Sequence, residues 1–200
     1  MQRPLVLRSY FGGHEVFRID NLRQTGADGL VFQVQLAPQV QPATNLLANA
    51  SFEQGQQDLV DAWASDAWQP TSVFSWDSRL ARSGQRSVSI SSATPNDARW
   101  VQTASGLIPG KSYQFCGWLR GENIQTGPDA RVGANVSLLG GFVASESFSG
   151  TFDWKQACVT FRAESSSAAL ACRIGFYGST VTGKLWCDDM RLEPLDSAFN

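Results

Sequence analysis

Residues 112–120 read SYQFCGWLR, and their side chains alternate between two kinds with a period of two. One side of an extended chain would carry Tyr113, Phe115 and Leu119. The other side would carry Cys116, Trp118 and Arg120. The run follows the turn signal Pro109-Gly110, which delivers a chain into an antiparallel strand. This stretch therefore predicts a strand with one buried face.

The rest of the chain after residue 45 repeats this pattern in short runs separated by glycine-containing turns. Further strands are predicted at about 46–53, 72–77, 86–92, 99–104, 131–139, 154–163, 168–177 and 184–192. Only a short helical turn is expected, around residues 56–63. Many short strands without helical segments between them are typical of an antiparallel β-sandwich or barrel, so the fold class is all-β.

Residues 1–44 stand apart from this pattern. They contain three short alternating runs, LVLRSYF (5–11), HEVFRI (14–19) and LVFQVQL (30–36), followed by the proline-containing polar stretch APQVQPATN (37–45). Such a stretch is typical of a linker. We therefore expect a small β appendage and linker at 1–44, and a main domain at 45–200.

Composition excludes several functions. A net charge of −2 provides no excess positive charge for binding nucleic acid, and no apolar run is long enough to insert into a membrane. The N-terminus lacks the pattern of a signal peptide. His14 is the only histidine, and no nucleophile–base set, phosphate-binding loop or dinucleotide fingerprint is present. We therefore expect a protein that is not an enzyme.

Five motifs in order add a family resemblance. They are NLLANASFE (45–53), ARSGQRSVSI (81–90), GLIPGKSYQFCGWLRG (106–121), FDWKQACVTFRA (152–163) and GKLWCDDMRLE (183–193). Together they resemble the jelly-roll carbohydrate-binding modules attached to xylanases and glucanases, within the galactose-binding-like group. The resemblance covers about residues 45–193. It implies a two-sheet jelly roll that binds a polysaccharide or oligosaccharide without catalysis, outside the cytoplasm, within a larger multidomain protein.

The resemblance also implies a structural calcium ion. Its ligands would be Glu53, backbone carbonyls between Ser83 and Arg86, and Asp188, with Asp189 as the second choice. Calcium takes oxygen ligands, so carboxylates and carbonyls suit it. The alternative is that Asp188 and Asp189 cap a loop and pair with neighbouring arginines.

A sugar needs aromatic rings for its C–H faces and planar polar groups for its hydroxyls. With Val101 taken to face inward, the outer side of one sheet would present such groups, because the strands at 99–104, 131–139 and 168–177 share that sheet in a jelly roll. The predicted groove residues are Trp100, Gln102, Asn135, Arg173 and Tyr177. Trp63, Trp68 and Trp76 would either line its end or pack onto the core. The alternative function is a structural or adhesive sandwich that binds no sugar.

Four cysteines, with no C-x-x-C pair, allow either two disulfides or four buried thiols. In the jelly-roll order, Cys116 and Cys158 lie on neighbouring strands. Cys172 and Cys187 would meet across the sandwich if both point inward.

Overall fold

The computed structural model describes residues 7–11, 14–19, 23–24, 30–31, 44–127 and 132–195. The chain divides into two compact units, residues 1–43 and residues 44–200. In the first unit, strands β1 (Leu7–Phe11) and β2 (His14–Ile19) form an antiparallel hairpin. The two-residue strands β3 (Arg23–Gln24) and β4 (Leu30–Val31) pair with each other. Most of the predicted third run and of the predicted linker lies outside the described residues.

The second unit contains only strands, turns and irregular segments in its described residues. Its strands are β5 (Gly55–Gln56), β6 (Leu59–Val60), β7 (Ala64–Ala67), β8 (Ser72–Asp77), β9 (Ser87–Asn96), β10 (Ala98–Ser105), β11 (Ser112–Thr126), β12 (Ala134–Leu138), β13 (Gly150–Arg162), β14 (Ser167–Ile174) and β15 (Val181–Pro194). Over the same residues, no helix is long and apolar enough to cross a membrane.

Two antiparallel sheets make the sandwich. One has four strands in the order β12-β14-β10-β7, and the other has five in the order β13-β11-β15-β9-β8. This arrangement confirms the predicted all-β, two-sheet antiparallel fold. It also places the predicted strands at 99–104, 131–139 and 168–177 in one sheet, with β14 between β12 and β10.

The core lies between the two sheets. Side chains with no exposed surface come from both inner faces, among them Ile90, Phe115, Leu119, Val136, Leu170, Ile174, Leu185 and Leu192. Complete burial of one such side chain contributes roughly 1.5–3 kcal/mol. Tyr113, Phe115 and Leu119 are all buried, as their spacing predicted.

All four cysteines are paired in disulfides. Cys116 and Cys158 are direct partners in the register of β11 and β13, with Cα atoms 4.1 Å apart. Cys172 and Cys187 lie on facing strands of different sheets, with Cα atoms 6.6 Å apart. Of the two alternatives that the sequence left open, the structure has the disulfides.

The strand predicted at 46–53 is wrong, because this segment is a run of turns. Asn49 and Phe52 have φ angles of 43° and 57°, far from the negative φ angles of regular β-strand. The Asn49 amide fixes the turn by donating to the carbonyls of Gln54 and Asp61. The helical turn predicted at 56–63 is also wrong, since β5 and β6 form a short hairpin there.

Candidate functional site

Four polar residues follow one another across the outer face of the four-stranded sheet. Asn135 of β12 lies directly opposite Arg173 of β14, and Arg173 lies opposite Arg99 of β10. Arg99 in turn lies opposite Asp66 of β7. Because directly opposed residues on neighbouring strands point to the same face, these side chains form one row across all four strands. We call Asp66, Arg99, Arg173 and Asn135 the polar row.

Asp97, in the connection between β9 and β10, balances the charge of the polar row. Its carboxylate accepts hydrogen bonds from the Arg173 Nη2 group through both oxygens. Arg99 pairs with Asp66 and lies 3.4 Å from Asp97 Oδ1. Burial lowers the pKa of the Arg173 guanidinium from its ordinary value, and the Asp97 charge opposes this effect. Two arginines and two aspartates leave the cluster with no net charge.

Several buried polar atoms on this face have no hydrogen-bond partner among the described residues. They are Arg99 Nε, Arg173 Nε, Arg173 Nη1, Asn135 Oδ1 and Ser137 Oγ. Ser137 is two residues from Asn135 along β12, so it shares the same face. An unsatisfied buried polar atom costs about 1–3 kcal/mol. This face therefore holds both donors and acceptors without partners among the described residues.

Aromatic rings lie over the polar row. The Arg173 guanidinium carbon is 5.0 Å from the ring centroid of Phe176 and 5.2 Å from that of Tyr177. The Phe142 ring contacts Tyr177 with centroids 5.4 Å apart, and 87% of Phe142 is exposed. The Tyr177 hydroxyl accepts a hydrogen bond of 2.9 Å from the Gly140 amide. The cover is thus built from the two loops that follow β12 and β14.

Trp68 lies at the β7 edge of this sheet, across from the β12 edge where Phe142 lies. It directly follows β7, and its backbone amide donates a hydrogen bond of 2.9 Å to the Asp97 carbonyl. Its side chain is 67% exposed, whereas Trp63 is buried in the core and Trp76 is half-buried against it. Of the three tryptophans that the sequence offered for the groove end, Trp68 alone presents an exposed indole.

The structure corrects two predicted groove residues, because Trp100 and Gln102 face the interior. Trp100 is 4% exposed and donates its indole N–H to the Ser89 carbonyl. The Gln102 side chain bonds the amide and the carbonyl of Ala48. The prediction assumed that Val101 points inward. The alternation runs the other way, with the buried residues at Ala98, Trp100, Gln102 and Ala104.

The other predicted groove residues lie at the outer face. Asn135 and Arg173 are buried within the polar row, and Tyr177 covers it. Arg99 could have been found from sequence, since it alternates with the apolar residues Ala98 and Trp100 in the same strand. No sequence signal marked Asp97 or Phe142, because both lie in connections whose path depends on the tertiary structure.

The predicted calcium residues converge on one loop, residues 82–86. Glu53 Oε1 accepts hydrogen bonds from the amides of Gln85 and Arg86, at 2.9 and 3.0 Å. Asp188 Oδ2 accepts from the amides of Arg82 and Ser83, at 2.7 and 3.2 Å. Two carboxylates from distant parts of the sequence therefore hold the loop from two sides.

Asp188 is fully buried, and burial raises the pKa of its carboxyl group to about 6. Hydrogen bonds from the loop amides oppose this shift, whereas the negative charge of Asp189 adds to it. Asp189 pairs with Arg82 at 2.6 Å and also accepts from the Ser83 hydroxyl, as the loop-capping alternative predicted. Within the described ranges, Glu53 and Asp188 accept hydrogen bonds from backbone amides and have no cationic side-chain partner. Over the same residues, no group of three His, Cys, Asp or Glu side chains is arranged to hold a metal.

No protein-family model matches the chain, and no curated protein matches it. Solved structures do match its fold. The xylan-binding domain from CBM22 is 14% identical, with 79% of this chain and 100% of that chain covered and a TM-score of 0.51. The CBM22-2 xylan-binding domain from Paenibacillus barcinonensis Xyn10C is 14% identical, with a TM-score of 0.51. The match covers 73% of this chain and 98% of that domain.

Enzymes also carry this fold. The arabinose-bound α-L-arabinofuranosidase MgGH51 is 15% identical, with a TM-score of 0.54; 75% of this chain and 26% of that chain are covered. Identities this low compare folds alone, and a fold by itself does not fix an activity. The chain therefore has the jelly-roll fold of the carbohydrate-binding modules.

Proposed function

We propose that this protein binds a carbohydrate, without catalysis, on the outer face of its four-stranded sheet. The observation that carries the proposal is the set of buried polar atoms without partners, beneath the exposed rings of Phe142 and Tyr177. Sugar hydroxyls both donate and accept hydrogen bonds, so one ligand can satisfy arginine N–H groups and the Asn135 carbonyl oxygen together. The aromatic rings suit the apolar C–H face of a pyranose.

The charges favour a neutral saccharide. Arg99 and Arg173 are already paired with Asp66 and Asp97, so the site has no excess positive charge for a uronate. Xylan is the ligand named for two structures of the same fold, which is in keeping with a neutral polysaccharide or oligosaccharide.

The state of the carboxylates near the polar row supports binding without catalysis. Glycoside hydrolysis uses one carboxyl group as acid and another as base or nucleophile. Near the polar row, Asp97 has both oxygens engaged by Arg173, and Asp66 is paired with Arg99. Neither group is free for proton transfer to a bound sugar.

We propose further that loop 82–86 holds a structural calcium ion. Glu53 and Asp188 would supply carboxylate oxygens, and the backbone carbonyls of Ser83 and Arg86 would complete an oxygen ligand set. The fit rests on two carboxylates that converge on the loop and have no cationic side-chain partner among the described residues. Bound calcium would neutralise this charge and tie the loop to β15. Metal analysis of the purified protein, with unfolding temperatures measured in calcium and in EDTA, tests this proposal.

Two disulfides support a location in an oxidising compartment, that is, extracellular, periplasmic or at the cell surface. A module of this kind would serve a larger protein by keeping it near its polysaccharide. The alternative is a structural or adhesive sandwich without sugar binding, which is favoured by the complete burial of Arg173 and Asn135.

Ser137→Ala separates the two functions. Ser137 Oγ is buried without a partner among the described residues, so its removal leaves stability unchanged or raises it. If a sugar bonds this hydroxyl, affinity falls about 2- to 12-fold, which corresponds to one net hydrogen bond. Calorimetric titration against a panel of neutral and acidic glycans, with calcium present, measures this loss.

Ser87→Ala is the matched control. Its hydroxyl donates to the Leu80 carbonyl, remote from the polar row, so this variant loses stability and keeps its affinity. A saturable response to a neutral glycan that weakens only in Ser137→Ala supports the proposed site. No response to any glycan favours the structural or adhesive function.

A further inference from the structure

Two of the four members of the polar row, Arg173 and Asn135, are closed off in this structure, whereas the side chains of Arg99 and Asp66 are 19% and 53% exposed. Asn135, Ser137 and Arg173 have no exposed surface, although each contains a buried polar atom without a partner among the described residues. A hydroxyl-bearing ligand cannot reach these atoms while they are covered. If a sugar bonds these atoms, some part of their cover must move first.

The side chain of Tyr177 is a lightly held part of the cover. Its ring lies over the Arg173 guanidinium, yet 44% of the residue is exposed. The side chain has one hydrogen bond, in which its hydroxyl accepts from the Gly140 amide. Its contact with Phe142 adds an aromatic neighbour that is itself almost wholly exposed.

The backbone of Tyr177, in contrast, is fixed. Its amide donates a hydrogen bond of 3.0 Å to Asp97 Oδ2, on the same carboxylate that holds Arg173. The φ angle of Tyr177 is 35°, and the nearby Gly175 and Gly178 also have positive φ angles, of 77° and 93°. Left-handed backbone of this kind, held by a side-chain carboxylate, orients the ring over the face. Rotation of the side chain about this anchor removes one of the two rings over Arg173, while Phe176 stays 5.0 Å from the guanidinium carbon.

We propose that the Tyr177 side chain is the gate over the Arg173 end of the polar row. The hydrogen bond to Gly140 keeps it closed, and its rotation exposes the unsatisfied N–H groups of Arg173. The proposal rests on the proposed function for the identity of the ligand, a neutral sugar. Closure explains how polar atoms that need a ligand remain shielded from water in its absence. In the open state, the Tyr177 and Phe142 rings flank the entrance, where the C–H face of a sugar can pack.

The gate can be tested without a ligand by labelling arginines with phenylglyoxal and following Arg173 by mass spectrometry. Tyr177→Phe keeps the ring and removes the bond to Gly140, so the labelling rate of Arg173 rises about 2- to 12-fold, the equivalent of one hydrogen bond. Tyr177→Ala removes the whole Tyr177 ring, and the rate rises further. Arg79, which is exposed, is the internal reference in every sample.

Tyr113→Phe is the matched control, because the Tyr113 hydroxyl also accepts from a backbone amide, that of Ile108 at 2.9 Å. It lies in the core, away from the polar row. Equal labelling of Arg173 in the wild type and both Tyr177 variants overturns the gate. An increase in Tyr113→Phe as large as in Tyr177→Phe also overturns it, since the exposure would then come from general loosening.

Stopped-flow binding of a glycan that the wild type recognises is the second measurement. The gate predicts faster association in Tyr177→Phe by the same factor as the labelling. If no glycan binds while labelling responds as expected, the proposed function fails and the gate stands. If a glycan binds but neither Tyr177 variant exposes Arg173 or binds faster, the gate fails and the proposed function stands.

Discussion

Asp97 and Arg173 form a buried ion pair, and the same carboxylate holds the backbone amide of Tyr177. The two side chains are 76 positions apart in the sequence. The pair orders both the base of the polar row and the residue that covers it. The stability of the outer face and the shape of the site therefore depend on one carboxylate.

Asp97→Asn should destabilise the protein by about 3–5 kcal/mol, because it leaves the Arg173 charge buried without a partner. Urea unfolding followed by tryptophan fluorescence measures this loss. Asp153→Asn is the control, since Asp153 pairs with Arg120 at 3.4 Å while 88% of its side chain is exposed. That exposed pair should contribute less than about 1 kcal/mol. Equal effects of the two variants would contradict the role given to Asp97.

Phe142→Ala and Trp68→Ala should each weaken glycan binding by about 2- to 12-fold, since an aromatic contact contributes about 0.5–1.5 kcal/mol. Both side chains are largely exposed, so the fold should be unchanged. Isothermal titration with the recognised glycan provides the affinities. Ile108→Ala removes an exposed apolar side chain from another loop and should leave affinity unaltered. An unchanged affinity in both aromatic variants would exclude these rings from the site.

In EDTA, stability should fall as the pH rises from about 4 to about 7. Burial raises the pKa of Asp188 from 3.8 to about 6, so the folded protein binds this proton more tightly than the unfolded chain. The contribution is present below pH 4 and is lost as the pH rises through 6, a change of about 2–3 kcal/mol. Urea unfolding at several pH values measures this slope.

Asp188→Asn is the control for this slope, because it removes the titrating group. The pH dependence between 5 and 7 should be shallower in the variant than in the wild type. Calcium should stabilise the wild type more at pH 7 than at pH 5, since it binds the ionised carboxylate. Identical slopes in EDTA for the two proteins would show that Asp188 does not titrate in this range.

The disulfides should contribute strongly to stability. Replacing Cys172 and Cys187 by alanine opens a loop of 15 residues and should cost about 3 kcal/mol in the chain-entropy account. Replacing Cys116 and Cys158 opens a loop of 42 residues and should cost about 4 kcal/mol. Unfolding curves of the two double variants measure these losses. Thiol titration of the denatured wild type should find no free thiol, and four free thiols would contradict both bonds.

Strand positions were predictable because a strand is a local pattern. The alternation of SYQFCGWLR identified the buried face of β11, since Tyr113, Phe115 and Leu119 supply enough apolar surface to fix it. The same reasoning failed in β10, where one apolar residue, Val101, was taken to mark the core. The opposite side of the strand carries more apolar surface than Val101, because it holds Ala98, Trp100 and Ala104. That side faces inward.

The segment 46–53 failed for another reason. It has the composition of a strand, but side-chain hydrogen bonds from Asn49 hold it in turns, and its amide and carbonyl groups meet β15 only at Leu46 and Ala50. A residue that bonds its own neighbours competes with sheet formation, and the outcome depends on which partners are near. Local pattern does not contain that information.

By itself, the sequence determined the all-β class, most strand positions and the residues that could serve a site, because periodicity and residue chemistry are local properties. Tertiary structure alone decided which face of β10 is buried, whether the cysteines are bonded, and which residues form the polar row. Asp66, Arg99, Arg173 and Asn135 come from four strands that are neighbours only in the sheet order. Strand order is set by packing of the whole chain, so the site exists only once both sheets have formed.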